Sequence, residues 1–347
     1  MRSIQFLVTI GISFLLISCA SMAKMPLDVM RPASLSISPN ILSVVVVDYT
    51  YPFRGDSVNM IVLPRETVVV DTIQVDDFGW LAVQAMTDVL NKREFFDSVK
   101  LHHTPMNKPP LGVPFKTLPV RTINELALEN NAQAVIALEN VRYKSKINAQ
   151  DMGSYYYITL DASGEMLWKL YDLNGDVIDV YLQRDSIFWD NAMGTYGSQP
   201  REVPAIRDAI ETLAFFMGRN YPDRISPRWE TASRYFYIGG HHLFARANDL
   251  RKANNWGEAA KVWYYVYENG NKLQKARSAH NLALSFEVRG DFDEAIAWSN
   301  ISSKLFEEMS PLRVSATDKH MTRLYNLELI NRLYELQKLQ EQLGGVN

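Results

Sequence analysis

Three sets of residues in this chain have side chains suited to chemistry. The first is Leu16-Ile17-Ser18-Cys19, which ends in the only cysteine, and so the only thiol, of 347 residues. Arg2 is basic, Ile4 to Ile17 is almost entirely apolar, and small Ser18 precedes Cys19, which is the grammar of an export signal. The apolar run is shorter than the roughly 20 residues that cross a bilayer as a helix, so a spanning anchor is the weaker reading. The second set is two histidine pairs, His102-His103 and His241-His242. Neighbours on a strand point to opposite faces and on a helix diverge by about 100°, so neither pair makes a local two-ligand metal site. The third is Asp172-Leu173-Asn174-Gly175-Asp176, which resembles part of a calcium loop. It lacks the remaining oxygen ligands and the closing Glu, and a hairpin turn is the better reading. The sequence has no phosphate loop, dinucleotide glycine pattern or serine nucleophile elbow. No catalytic residue, cofactor or metal site is therefore expected.

The tetrad Leu16 to Cys19 resembles the lipobox of bacterial lipoproteins: an aliphatic residue, a small or aliphatic one, a small one, then Cys. That resemblance implies cleavage before Cys19, a thioether-linked diacylglycerol on its sulfur and acylation of the new amino terminus. The alternative is an ordinary signal peptide with an incidental cysteine. Each buried acyl CH₂ contributes about 0.8 kcal/mol, so two or three chains would hold the protein to a membrane almost permanently. Ala20, where many inner-membrane lipoproteins carry Asp, implies outer-membrane sorting with the protein facing the periplasm. Residues 19–40, with Pro26, Pro32 and Pro39 and no sustained periodicity, read as a lipidated tether.

With residues 1–18 removed, the rest is long enough for two domains with separate cores. At 47% hydrophobic and 22% charged residues the composition is that of a folded protein. The net charge of −3 offers no basic excess to neutralise phosphates, which disfavours a nucleic-acid role. Without a second cysteine, stability cannot depend on disulfides.

The positioning elements fall into an α+β arrangement: an α/β domain with a mixed sheet over residues 41–222, a linker over 223–235, and an all-α domain over 236–347. Ile41 to Val47 reads as a strand covered on both faces, and Thr67 to Val70 as a second. Asp76-Asp77 precede a helical pattern through Leu90, and Phe95 to Leu101 follows as a strand. Thr122 with Glu125 forms a capping-box pattern, and a long strand runs from Ala134 towards Ile147. Tyr155 to Leu160 and Met166 to Tyr171 are strand candidates, and Asn174-Gly175 joins the latter to Val177 to Leu182 as a hairpin. Pro204 opens a last helix. Glu125, Leu126, Ala127, Glu129, Ala132, Ala134, Val135 and Ile136, with the Tyr171 to Val177 turn, resemble the periplasmic α/β domain of the amino-terminal part of TolB and of curli-secretion and LpoB-type lipoproteins. Members of that group mostly bind other envelope components, a fold-level analogy.

In the second half, Asn255-Trp256-Gly257-Glu258-Ala259 and Asp291-Phe292-Asp293-Glu294-Ala295 share a pattern, with their alanines 36 positions apart. With Leu282, Ala283, Phe286 and Gly290 they resemble tetratricopeptide repeats, whose period is about 34 residues. Asn254 stands where the first copy would carry its turn glycine. After Pro311, a helix capped by Ser315 or Asp318 carries Leu324, Leu327, Ile330, Leu333, Leu336 and Leu339 as a stripe suited to covering the stack. The repeat register implies a concave peptide-binding face built of His241, Phe244, Asn248, Arg251, Lys252, Arg277, His280, Leu284 and Glu287. A solvated or cap-covered face is the other reading, and Phe244 in place of a lysine speaks against a carboxylate clamp.

The leading expectation is a non-enzymatic, lipid-anchored protein of the cell envelope that scaffolds or assembles envelope proteins through this face, attached to the membrane by lipid and binding no nucleic acid. A cell-wall or glycan-processing enzyme or its activator, and an oligomeric secretion component, are the alternatives. The oligomeric state stays open.

Overall fold

The computed structural model describes residues 21–51, 59–62, 65–70, 73–102, 117–153, 156–191 and 203–344. The chain divides into two compact units, one of residues 32–228 and 340–347, the other of residues 1–31 and 229–339.

The first unit is built around β2 (Ser43–Asp48), whose four consecutive valines are all buried. Val44 and Val46 enter one core, while Val45 and Val47 enter another, as the two-residue period of a strand requires. β5 (Ser98–Leu101) and the start of β6 (Ala134–Asp151) flank β2, and all three run parallel. Helix α1 (Phe78–Arg93) and helix α3 (Ile206–Asn220) cover the first face, and α2 (Val120–Asn130) covers the second. Helices on both faces of a parallel segment account for the continuous valine run. The single turn α4 (Pro222–Ile225) follows α3.

One edge of β6 serves two neighbours. Ala134–Leu138 pair with β2, and Ser145–Asn148 pair with β3 (Asn59–Val62), which pairs in turn with β4 (Thr67–Val70). The other edge of β6 runs antiparallel to β7 (Tyr156–Asp172), and β7 to β8 (Val177–Asp190), in one seven-stranded mixed sheet. The mixed α+β architecture is therefore as expected. The two segments read as separate strands at Tyr155 and Met166 are one, because Ala162 and Gly164 carry the alternation through a stretch poor in large apolar residues. Helix α2 starts at Val120 behind an extended Pro119, so Thr122 lies in its first turn and caps nothing.

The second unit holds β1 (Met22–Arg31), all but the first residue of β9 (Arg228–Tyr237), the helices α5 (Leu243–Lys252), α6 (Trp256–Asn269), α7 (Lys272–Val288) and α8 (Phe292–Glu307), and α9 (Ala316–Gln342) as far as Leu339. The turn between α5 and α6 uses Asn254 at φ 58°, and that between α7 and α8 uses Gly290 at φ 83°. Both occupy the left-handed region that a tight helix–helix turn demands. Ala259 and Ala295 are fully buried against Trp263 and Phe306 in the common core.

Three expectations are corrected here. The tether expected over residues 19–40 is not one where described, from residue 21 on: Met22–Arg31 is a strand paired with β9, and Leu35 N–H donates to Arg224 O at 2.8 Å in the α/β unit. Residues 223–235 are not a linker, since they form most of α4 and β9. The leucine stripe does not cover the stack, for Leu324 and Leu327 are half exposed. The buried stripe of α9 is instead Asp318, Thr322, Tyr325, Leu329, Arg332, Leu339 and Gln342, spaced at threes, fours and one seven. Three of its polar members meet polar partners: Asp318 accepts from Tyr237 Oη at 2.8 Å, Arg332 donates to Met30 O at 2.6 Å, and Gln342 donates to Ala33 O at 3.0 Å. Ser315 Oγ accepts the Asp318 N–H at 3.0 Å, the cap foreseen for this helix.

Candidate functional site

In open α/β sheets, ligands settle at the carboxyl ends of parallel strands. The carboxylates placed there are engaged internally. Asp48 Oδ1 accepts the Thr50 N–H at 2.9 Å. Glu139, fully buried at the bulge between Leu138 and Asn140, accepts the Leu118 N–H at 3.0 Å, pairs with Lys169 Nζ at 2.8 Å, and accepts the Tyr171 hydroxyl. Burial, and then that carboxylate, hold the Tyr171 phenol protonated far above its ordinary range. His102 follows β5, with Nδ1 3.5 Å from Asn130 Nδ2, and His103 lies outside the described residues. Among the described residues no group of three His, Cys, Asp or Glu side chains could hold a metal ion. Asp172 spends its carboxylate on its own turn, accepting the N–H groups of Asn174 and Asp176 at 2.9 and 2.8 Å, with Gly175 at φ 84°. This is the hairpin that its spacing suggests.

The α/β unit presents a different kind of surface. Val141, Tyr143, Ala162, Met166 and Trp168 face the core under α1 and α3. The alternate residues face outward in cross-strand rows: Asn140–Leu167–Leu182, Arg142–Glu165–Arg184, Lys144–Ser163–Ser186 and Lys146–Asp161–Phe188. They surround a cleft of about 630 Å³ bordered by Arg142, Lys144, Ser163, Glu165, Arg184 and Ser186. Arg184 Nε donates to Glu165 Oε1 at 2.7 Å. On the same side of β8, Val180 and Leu182 are 54% and 47% exposed, and Phe188, 56% exposed, follows beyond Arg184 and Ser186. Arg142, Lys144, Lys146 and Arg184 stand against Glu165, Asp161 and, in the next row, Asp190, a small excess of positive charge.

In the helical unit, the residues expected to line a peptide groove do share one face, but the face is filled by β9. Phe244, His280, Leu284 and Glu287 are buried. His280 Nε2 donates to Tyr235 O at 2.9 Å, and Asn281 holds both backbone groups of Tyr237. Arg277 Nη1 donates to Gly239 O at 3.2 Å, and the Arg251 guanidinium lies over the Phe236 ring at 4.4 Å. Asn248 Oδ1 accepts from Arg251 Nε at 3.1 Å, and Lys252 stays exposed near Asp249. The rings of His241 and His242 lie 4.4 Å apart between centroids, tilted by 30°, and His241 Nδ1 accepts the Leu243 N–H. Partial burial and then His242 lower the pKa of His241.

Sequence reasoning missed what sits in the groove. Arg234 of β9 forms a two-pronged pair with Glu287, whose other oxygen accepts the Tyr325 hydroxyl at 2.7 Å. Burial and then Glu287 push the Tyr325 phenol well above its ordinary value. Glu328 bridges Arg234 and Arg31, and Arg31 also reaches Glu335 at 2.9 Å and Glu230 at 3.4 Å. Burial alone would lower the pKa of Arg31, but its hydrogen bonds with Glu335 and Glu328 raise it. The available signal was alternation: Ala232, Arg234 and Phe236 are buried while Thr231, Ser233 and Tyr235 face outward. An arginine at an inward position disguised it.

Leu16 to Cys19 lie outside the described residues. Among the described residues no helix is long and apolar enough to cross a membrane. No curated protein matches the chain. Among solved structures it is similar to the lipoprotein GNA1162 from Neisseria meningitidis, at 13% identity over 45% of this chain and 85% of that one. The TM-score is 0.16, too low to bear on fold or function. The helical region at residues 245–331 matches the model of a domain of unknown function, DUF6340. Residues 41–237, more than half of the chain, match the model of another domain of unknown function, and the chain belongs to that family, DUF8603.

Proposed function

We propose that this chain is a lipid-anchored protein of the cell envelope, at the outer membrane and facing the periplasm, that binds partner proteins without transforming them. The anchor rests on the resemblance of Leu16 to Cys19 to a lipobox. The binding role rests on one observation: the outward face of β6, β7 and β8 combines exposed apolar groups, Val180 and Leu182 together and Phe188 beyond Arg184 and Ser186, with the cations Arg142, Lys144, Lys146 and Arg184. Apolar groups supply affinity by leaving water, and the flanking charge selects a partner of opposite sign. The partner is accordingly an envelope protein with an acidic, apolar surface. The helix pairs of the second unit, read as tetratricopeptide-like, hold their own strand β9, so the docking role falls to the sheet face of the first unit.

A photo-crosslinking residue placed at Leu182 or Phe188 in intact cells tests this. A discrete crosslinked protein is expected from both positions, lost when Arg142 and Lys144 are both changed to Glu and weakened by salt. A crosslink indifferent to that charge reversal, or none at all, would overturn the reading.

A further inference from the structure

Among the described residues, β9 has a ladder partner on one edge only. Ile238 N–H donates to Ser21 O at 2.9 Å, and Thr231 Oγ1 donates to Asp28 at 2.6 Å, so β1 and β9 run in opposite directions. Strand alternation then turns the backbone groups of Phe236, Arg234 and Ala232 towards β1, and those of Tyr237, Tyr235, Ser233 and Thr231 away from it. Helix α7 takes the upper part of this second edge: Asn281 pairs with Tyr237 N–H and O at 2.8 and 2.7 Å, and His280 takes Tyr235 O. The amide of Tyr235 and both backbone groups of Ser233 and Thr231 have no hydrogen-bond partner among the described residues.

That open stretch borders a cleft of about 490 Å³, walled opposite by Met321, Leu324, Tyr325 and Glu328 of α9. A strand edge facing a helix across a slot is the geometry that accepts one further extended chain. Leu324, 47% exposed, offers that chain an apolar contact. His280 supplies an independent sign of a missing occupant. Its ring lines the cleft and is almost wholly buried. Nε2 must carry the proton it donates to Tyr235 O, which leaves the lone pair of Nδ1 without a partner. The charged groups say what kind of segment fits. Arg31 and Arg234 are already held by Glu328, Glu335 and Glu287, so neither guanidinium is left to hold a terminal carboxylate.

We propose that the edge of β9 from Thr231 to Tyr235 is a strand-addition site, which takes an extended, internal, uncharged segment of a partner polypeptide into the slot between β9 and α9. This site is separate from the sheet face of the first unit and stands or falls independently of it.

The test selects binders to the purified full-length protein from a display library of short peptides with both termini blocked. Selected peptides should lose affinity about tenfold or more when N-methylated at every second residue, and keep it when methylated between. On binding, the amides of Ser233 and Tyr235 should exchange more slowly with solvent. N-methylation leaves the protein untouched, so a fold defect cannot imitate the result. Ser233→Pro, which removes a pairing N–H, should abolish binding as well. No selected peptide, insensitivity to N-methylation, or a dimer of the chain that Ser233→Pro dissolves would each overturn the proposal.

Discussion

His280 links the packing of the helical unit to pH. An imidazole in an unfolded chain titrates near 6.5, whereas burial pushes His280 down to about 4. Between those values the unfolded chain binds a proton that the folded chain refuses. Stability is therefore complete above about pH 6.5 and falls as the pH drops towards 4, by on the order of 3 kcal/mol across the window. His280→Gln keeps a donor for Tyr235 O and removes the titration. Urea midpoints measured between pH 6.5 and 4 should then vary markedly less than in the parent, and an unchanged slope would show that His280 is not the group responsible. The same residue shows how far the sequence was legible at this scale. Repeat register assigns His280, Glu287, Arg251 and Arg277 to one face, because helical periodicity fixes direction. It could not reveal that the face is filled. Arg234 satisfies Glu287 across 53 positions of chain, and an arginine on a short strand carries no mark of being buried.

At the scale of elements, local signals read well wherever one face decided the pattern. The valine run of β2, the Asn174-Gly175 turn and the paired turns at Asn254 and Gly290 all follow from backbone chemistry written in a few residues. Strands β1 and β9 did not, because their inward positions include Arg31 and Arg234 and because β1 contains Pro26. Alternation from Ser21 turns the Pro26 nitrogen away from β9, where no N–H is needed. The leucines of α9 misled for the converse reason: their spacing is helical, yet polar partners on the unit bury the neighbouring stripe. Close packing of α1 on α3 is testable at one atom. A Cβ at Gly218 would lie 2.2 Å from Ala82 O, a backbone atom that can move only with its helix. Gly218→Ala should therefore cost about 1–3 kcal/mol or more despite the higher helix propensity of alanine. Gly257, at the start of α6, has nothing within 4 Å of such a Cβ, so Gly257→Ala should be neutral or slightly stabilising. Denaturation midpoints of the two variants, measured side by side, separate contact from propensity.

At the scale of the whole molecule, the correction of the tether changes what a lipid on Cys19 would do. Read from sequence, residues 19–40 would let the folded protein stand well away from the membrane. In the structure the first strand begins at Met22, three positions after Cys19. At about 3.3–3.6 Å per extended residue, a lipid on Cys19 would hold the start of β1 within about 10 Å of the membrane surface. That strand is paired with β9, so a lipid on Cys19 would be joined almost directly to a folded element. Cys19→Ser should move the protein from the membrane to the soluble fraction while leaving its circular dichroism and thermal transition unchanged, since Cys19 precedes both units' described elements. A flexible Gly-Ser insertion between Ala20 and Ser21 should keep membrane attachment but carry the helical unit outward, read as lower energy transfer from a fluorophore on that unit to labelled lipid. Attachment that survives Cys19→Ser would show that the membrane is held by some other segment. Energy transfer unchanged by the insertion would show that β1 contacts the membrane surface by itself.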